Sequence, residues 1–236
     1  MSTWQLKSFG DSDALAEACA LDFLSWATSS PTTKCVALSG GRIAKDFFCS
    51  VAQLAKARQL SLSHIHFFWA DERCVPPDHG ESNHRVAAEL LLTPLDLPQA
   101  NIHRLRGEDE PERAAQEAEA ELRRFAPANR SGQPELDLVL LGMGEDGHVA
   151  SLFPGETEGT MSSIAVYRAV TASKPPPRRI TLGYATIAAA RSVWVLASGV
   201  GKEAALQESL SPAGMTPLAK VLRRQNPTTL FTDLQG

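Results

Sequence analysis

The chain has 236 residues, 43% of them hydrophobic and 21% charged, with a formal net charge of -4. This composition suits an ordinary folded core rather than a disordered chain, and the acidic balance gives no general reason to expect nucleic acid or an anionic membrane as partner. No apolar run reaches the roughly 18 residues of a spanning helix and the N-terminus lacks a basic-then-apolar signal, so a cytoplasmic protein is expected.

In chain order, short apolar runs alternate with amphipathic patterns. Leu15, Cys19, Phe23 and Trp26 share one stripe and predict a helix over 13–28. KCVALS (34–39) reads as a buried strand, followed by a glycine pair and a helix to about residue 59. HIHFFWA (64–70) is a second strand, and SNHRVAAELLL (82–92) is the helix after its loop. Residues 111–125 form a strongly signalled helix, with Pro111 in its first turn and acidic residues early. ELDLVLLG (135–142) and SVWVLAS (192–198) follow as strands, GKEAALQESL (201–210) as a helix and TTLFTD (228–233) as a closing strand. Such alternation implies parallel pairing with helices on both faces of a mostly parallel sheet, an α/β fold. No composition shift lasts long enough to mark a linker, so one domain is expected over 1–236. The cysteines, Cys19, Cys35, Cys49 and Cys74, form no CxxC pair and read as reduced, packed thiols.

Three unusual loops each follow directly on an apolar strand: SGGR (39–42), ADERCVPP (70–77) and GMGEDGH (142–148). In a parallel sheet all three strand exits lie along the carboxyl edge, where ligands of open α/β proteins bind. Placement alone therefore brings Asp71, Arg73, Asp146 and His148 near one another. Glycines before a helix let backbone N–H groups approach an anion, and Arg42 adds a cation beside them. The loop matches neither GxGxxG nor the P-loop pattern, so no nucleotide is indicated. Arg73 at a strand exit is suited to an oxyanion or hydroxyl contact.

Asp146 and His148 sit two residues apart, and an exposed imidazole beside a carboxylate suits general base catalysis. His64, His66, His79, His84 and His103 find no third ligand at a convincing spacing, so no metal site is expected. There is no GxSxG elbow, so a hydrolase built on this chain uses water as its nucleophile. Arg179 and Lys202 are further candidate cations. Lys202 stands at a helix start, where the dipole disfavours it, which points to an anion partner.

In order and spacing, LSGG (38–41), FFWADERCVPPDHGESNHRVA (67–87), LDLVLLGMGEDGHVASLFPG (136–155), PPPRRITLG (175–183) and SGVGKEAAL (198–206) resemble the 6-phosphogluconolactonase family of the pentose phosphate pathway. That family shares its fold, an open parallel sheet with helices on both faces, with glucosamine-6-phosphate deaminases. The resemblance implies hydrolysis of 6-phosphogluconolactone to 6-phosphogluconate without a cofactor. It implies His148 as catalytic base with Asp146 and Arg73 close by, and a phosphate held by Ser39, Gly40, Gly41, Arg179 and Lys202. Arg42, Asp71, Asn83 and Gly144 complete the expected substrate contacts, in a monomer or weak homodimer with a sugar-phosphate lactone as its partner.

The sequence departs from the family's SGGS followed by Thr-Pro. Here Arg42 and Ile43 remove hydroxyls that could bind phosphate, and Arg42 itself is the candidate replacement. The deaminase alternative resembles DGHIAFNEP in the histidine loop, with a glutamate needed for proton transfer, whereas Phe153 stands in that place here. A non-catalytic sugar-phosphate sensor would keep the phosphate loop and lose Asp146 or His148, and both are present.

Overall fold

The computed structural model describes residues 4–224 and 226–234. Its strands are β1 (Trp4–Ser8), β2 (Lys34–Leu38), β3 (Ile65–Trp69), β4 (Asp71–Arg73), β5 (Leu138–Gly142), β6 (Tyr167–Thr171), β7 (Arg178–Leu182), β8 (Val193–Ala197) and β9 (Thr228–Thr232). Six of them form one sheet in the order β1-β9-β8-β5-β2-β3, and every pairing in it is parallel. All five residues of β2, of β8 and of β9 are buried. Successive side chains of a strand point to opposite faces, so both faces of this sheet are covered. That double burial is why 35–38 and 193–197 read as continuous apolar runs, while β9 buries three threonines beside Leu230 and Phe231.

The helices Ser12–Thr28 and Arg42–Ala57 pack on each other, and Tyr184–Ala189, Glu203–Leu210 and Pro217–Leu222 form a second group. Asp11 caps the first of these helices by accepting from the Ala14 backbone N–H. Arg42–Ala57 turns Ile43, Ala44, Phe47, Phe48, Val51, Ala52 and Ala55 inward, the spacing of one helical stripe. Phe47 meets the Phe23 ring edge-on at 5.6 Å, which knits the two helices together. The expected helix over 82–92 is an α-helix only over Asn83–Ala87, and a wider π-turn carries Ala88–Leu92.

Three strands make a separate antiparallel sheet in the order β4-β7-β6, which the apolar-run reading does not anticipate. The two sheets join at Ala70, whose N–H donates to Leu38 O while its carbonyl accepts from Leu182 N–H. The chain therefore leaves the edge of the main sheet and turns at once into the wall beside it.

The cysteines are free, with Cys19 and Cys35 buried and Cys49 and Cys74 half-buried. Burial pushes the Cys35 thiol up to about 12 and the Cys74 thiol up to about 11, which makes both poor nucleophiles at neutral pH. Among the described residues, no group of three or more His, Cys, Asp or Glu side chains is placed to hold a metal ion. No described helix is long and apolar enough to cross a membrane.

Candidate active site

The strand order places the switch point of the main sheet between β2 and β5. From β2 the chain proceeds outward to β3, and from β5 it proceeds the other way to β8 and β9. Loops leaving two adjacent strands in opposite directions open a crevice at their carboxyl ends. Ser39, Gly40, Arg42, Asp71, Arg73, Asn83, Gly144, His148, Arg179 and Lys202 line it together with Gly41, around about 500 Å³ of space. Of the expected site residues, only Asp146 is not in the lining.

Asp146 instead stands behind His148. Its Oδ1 accepts from the His148 ring at Nδ1, 2.5 Å away, and from the His148 backbone N–H at 3.1 Å. Burial pushes the Asp146 carboxyl up, but these hydrogen bonds and the nearby imidazole outweigh it, and its pKa falls below the ordinary value. The loop holding the pair is closed by its own backbone, with Gly144 N–H donating to His148 O and Gly147 N–H donating to Gly144 O. Gly144 is required by proximity: a Cβ there would fall 2.1 Å from His148 Cε1 and Nδ1.

The loop after β2 enters the Arg42–Ala57 helix through Gly41, whose φ is 112° and which offers no side-chain cap. The first N–H groups of that helix are therefore left for an anion. Gly40 is fixed by a different contact, since a Cβ there would fall 1.9 Å from Asn83 Oδ1. Ser39 Oγ is buried and has no hydrogen-bond partner among the described residues.

Arg42 and Lys202 converge over Gly199, where a Cβ would lie 2.8 Å from Arg42 Nη2 and 3.9 Å from Lys202 Cε. Burial lowers the Lys202 pKa first and the Arg42 charge lowers it further, while Glu145 and Asp233 act against both. Lys202 is the N-cap of Glu203–Leu210, the disfavoured end for a cation. Arg73 and Arg179 are direct cross-strand partners of β4 and β7. Arg73 Nη1 donates to Glu81 O and pairs with Glu81 Oε2, whereas its buried Nε has no partner. Arg179 is buried, with Nε donating to Pro176 O and Nη2 to Lys174 O. Burial and the Arg73 charge lower its pKa. Concentrating these cations in one cleft is costly unless an anion fills it.

Asp71 lines the cleft but its carboxylate is engaged. Oδ2 accepts from Ser151 Oγ at 2.7 Å, and Asn83 Nδ2 donates to the Asp71 carbonyl at 2.9 Å. Sequence reasoning passed over Glu72, a buried carboxylate that accepts from the backbone N–H of Arg73, Asn83 and His84 and from Ser82 Oγ. Burial raises its pKa despite these four donors. It ties β4 to the start of the Asn83–Ala87 helix and so sets Asn83 in place.

Residues 10–231 match the family model described as glucosamine-6-phosphate isomerases/6-phosphogluconolactonase. The chain belongs to this family. It is 35% identical over 211 residues to a probable chloroplastic 6-phosphogluconolactonase 3 of Oryza sativa subsp. indica, covering 84% of this chain and 63% of the rice protein. The chain thus spans less than two thirds of that relative. To a 6-phosphogluconolactonase of a Synechocystis strain it is 39% identical over 178 residues, covering 75% of this chain and 71% of the relative. In structure it is similar to the 6-phosphogluconolactonase of Trypanosoma brucei, with a TM-score of 0.86, 28% identity and coverage of 98% and 97% of the two chains. The family fold, a mostly parallel sheet with helices on both faces, is the fold seen here.

Proposed function

We propose that this family member hydrolyses 6-phospho-D-glucono-1,5-lactone to 6-phospho-D-gluconate, the second step of the oxidative pentose phosphate pathway. The observation that carries the reading is the His148 imidazole: it lines a cation-rich cleft while Asp146 fixes its Nδ1 from behind. With Nδ1–H donated to Asp146, Nε2 is left as the acceptor.

In this reading His148 Nε2 takes a proton from water as the water oxygen attacks the lactone carbonyl. The oxyanion of the tetrahedral adduct faces the Arg73 guanidinium, which lines the cleft. Collapse breaks the bond to the ring oxygen, which receives the proton back from His148. The product is a hydroxy acid whose carboxyl ionises and releases one proton. The phosphate dianion rests on the Ser39–Gly41 turn and the open helix N-terminus, against Lys202, Arg42 and Arg179. Arg42 supplies the contact that a hydroxyl residue would otherwise make. Phe153 beside His148 favours hydrolysis over deamination, because no carboxylate stands there to move a second proton.

The same reading takes the protein as a monomer or weak homodimer, and we place the reaction in the cytoplasm. Proton release on adding fresh 6-phosphogluconolactone to purified protein tests the activity. A rate well above spontaneous ring opening is expected, and no increase over the blank at high protein concentration overturns it.

A further inference from the structure

Phe153 is a large aromatic side chain with little core to rest on. Its neighbours in sequence are the anchors: Leu152 is fully buried, and Ser151 donates through Oγ to Asp71 Oδ2 and through N–H to Thr181 Oγ1. Phe153 itself is half-buried, and among the described residues it is not one of the apolar side chains packed on the core. What its ring meets instead is the site. The His148 ring lies 5.0 Å from it, centroid to centroid, at a tilt of 45°. On the same residue, Arg179 Cζ lies 5.6 Å from the ring centroid.

His148 is then held from three directions. Asp146 takes Nδ1, Gly144 lies against the Cε1–Nδ1 edge so closely that no Cβ fits, and Phe153 covers the ring. A single hydrogen bond leaves an imidazole free to swing about the N–H···O axis, and the aromatic contact removes that freedom. Tilted aromatic pairs and a cation over a ring face are both attractive arrangements. The same ring therefore seats the Arg179 guanidinium, whose donors otherwise reach only backbone carbonyls.

We propose that Phe153 is a positioning residue, holding the His148 imidazole in its reactive orientation and spacing it from the Arg179 guanidinium. The idea rests on the lactonase reading for its kinetic arm only. It assigns the aromatic at 153 a task in catalysis beyond replacing a glutamate that a deaminase would need.

The test compares wild type with Phe153→Leu and Phe153→Tyr. Leu keeps an apolar side chain but lacks the ring; Tyr restores the ring. On the phosphorylated lactone, Phe153→Leu is expected to lower kcat about tenfold while KM changes less than about threefold, and Phe153→Tyr to recover most of kcat. The second readout needs no substrate. In proton NMR, the downfield resonance of the His148 Nδ1–H, held by Asp146, is expected in wild type and in Phe153→Tyr. Exchange broadening or loss is expected in Phe153→Leu, with the melting temperature retained.

A Phe153→Leu enzyme with unchanged kcat and an unchanged Nδ1–H signal overturns the proposal. So does a loss confined to KM, which would make Phe153 a binding wall. If Phe153→Leu does not fold, Phe153→Met carries the same comparison. If wild type fails to hydrolyse the lactone while the Nδ1–H signal behaves as stated, the lactonase reading falls and the positioning role stands.

Discussion

Asp146 Oδ1 accepts from both His148 Nδ1 and the His148 backbone N–H, so one carboxylate oxygen fixes the ring and its own loop together. In the proposed reading Asp146 orients the ring, and its side chain lies outside the cleft lining. His148→Asn is expected to lose about 10²–10⁴ in kcat, the usual worth of a positioned acid–base group, while still binding 6-phosphogluconate. Asp146→Asn removes the charge but not the shape. A charge-assisted hydrogen bond is worth about 1.5–3 kcal/mol, so a loss of roughly 10- to 150-fold in kcat is expected, with KM little changed. Asp146 has its pKa depressed in the fold, so its contribution is present above the ordinary aspartate range and is lost only as pH falls through the lower folded value. Orientation by Asp146 therefore persists through the neutral range. Steady-state kinetics corrected for spontaneous opening check both variants, and an Asp146→Asn enzyme with wild-type kcat would remove the orienting role.

The cations make a separate prediction about the phosphate. Lys202→Ala and Arg179→Ala are each expected to raise KM for the phosphorylated lactone about tenfold or more, and to leave turnover of unphosphorylated gluconolactone nearly unchanged. Arg42→Ala has two opposed consequences, because Arg42 both attracts the dianion and depresses the Lys202 pKa. At neutral pH only the lost attraction is felt, and KM should rise. The signature lies at alkaline pH: Lys202 loses its proton below the ordinary lysine range, so 6-phosphogluconate affinity falls on that side as pH rises. Removing Arg42 lifts the Lys202 pKa and moves the fall to higher pH. Calorimetric titration across the alkaline range checks this, and an alkaline limb unmoved by Arg42→Ala would show that the two cations do not communicate.

How much of this was readable in the sequence follows from what each residue faces. β2, β3, β5 and β8 are largely buried and apolar, so their runs mark them, and the exits of β2, β3 and β5 mark the cleft. β4 is three residues of charge, β7 opens on two arginines after three prolines, and β1 mixes polar and apolar side chains, so none gives a run. Their pairing depends on partners distant in the chain, such as Asp71 opposite Thr181, which no local pattern carries. His148 and the glycine turn were legible because their spacing is local. Glu72 was not, because its four donors become visible only once the 82–84 backbone folds against it. Asp146 was legible as a neighbour of His148 but not as lying outside the cleft, which depends on the backbone turn between them.

Glu72 gives a stability prediction with a functional edge. Glu72→Ala strands three backbone N–H groups and the Ser82 hydroxyl in a buried place, each short of an acceptor. Leaving one buried donor unpaired costs about 1–3 kcal/mol, so the whole change should exceed about 3 kcal/mol even with partial relaxation. Glu72→Gln keeps one accepting oxygen and should cost less. Denaturant unfolding measures both, and because Asn83 is held through this carboxylate, KM should rise in Glu72→Gln before kcat falls. Equal stability of Glu72→Ala and wild type would show that the segment has other support.

Gly144→Ala is the sharpest probe of His148 geometry, because it adds one methyl and removes no functional group. That methyl would sit 2.1 Å from His148 Cε1 and Nδ1, closer than any real contact, so the imidazole must move. Gly147 nearby is a useful contrast. Its φ is 74° and its added Cβ would strike Thr216 at 2.6 Å, so Gly147→Ala strains the backbone and disturbs the packing beneath the loop. Gly144 has no such backbone demand, and its substitution should leave the melting temperature within a few degrees of wild type. A displacement near 1 Å of a reacting group can cost about 10²-fold. We expect Gly144→Ala to lose about 10- to 100-fold in kcat with KM for the phosphorylated lactone largely kept, and Gly147→Ala to lose stability as well. A Gly144→Ala enzyme of normal kcat would mean that the ring has room to reach its reactive position from elsewhere, and that the tight seating seen here is not what catalysis uses.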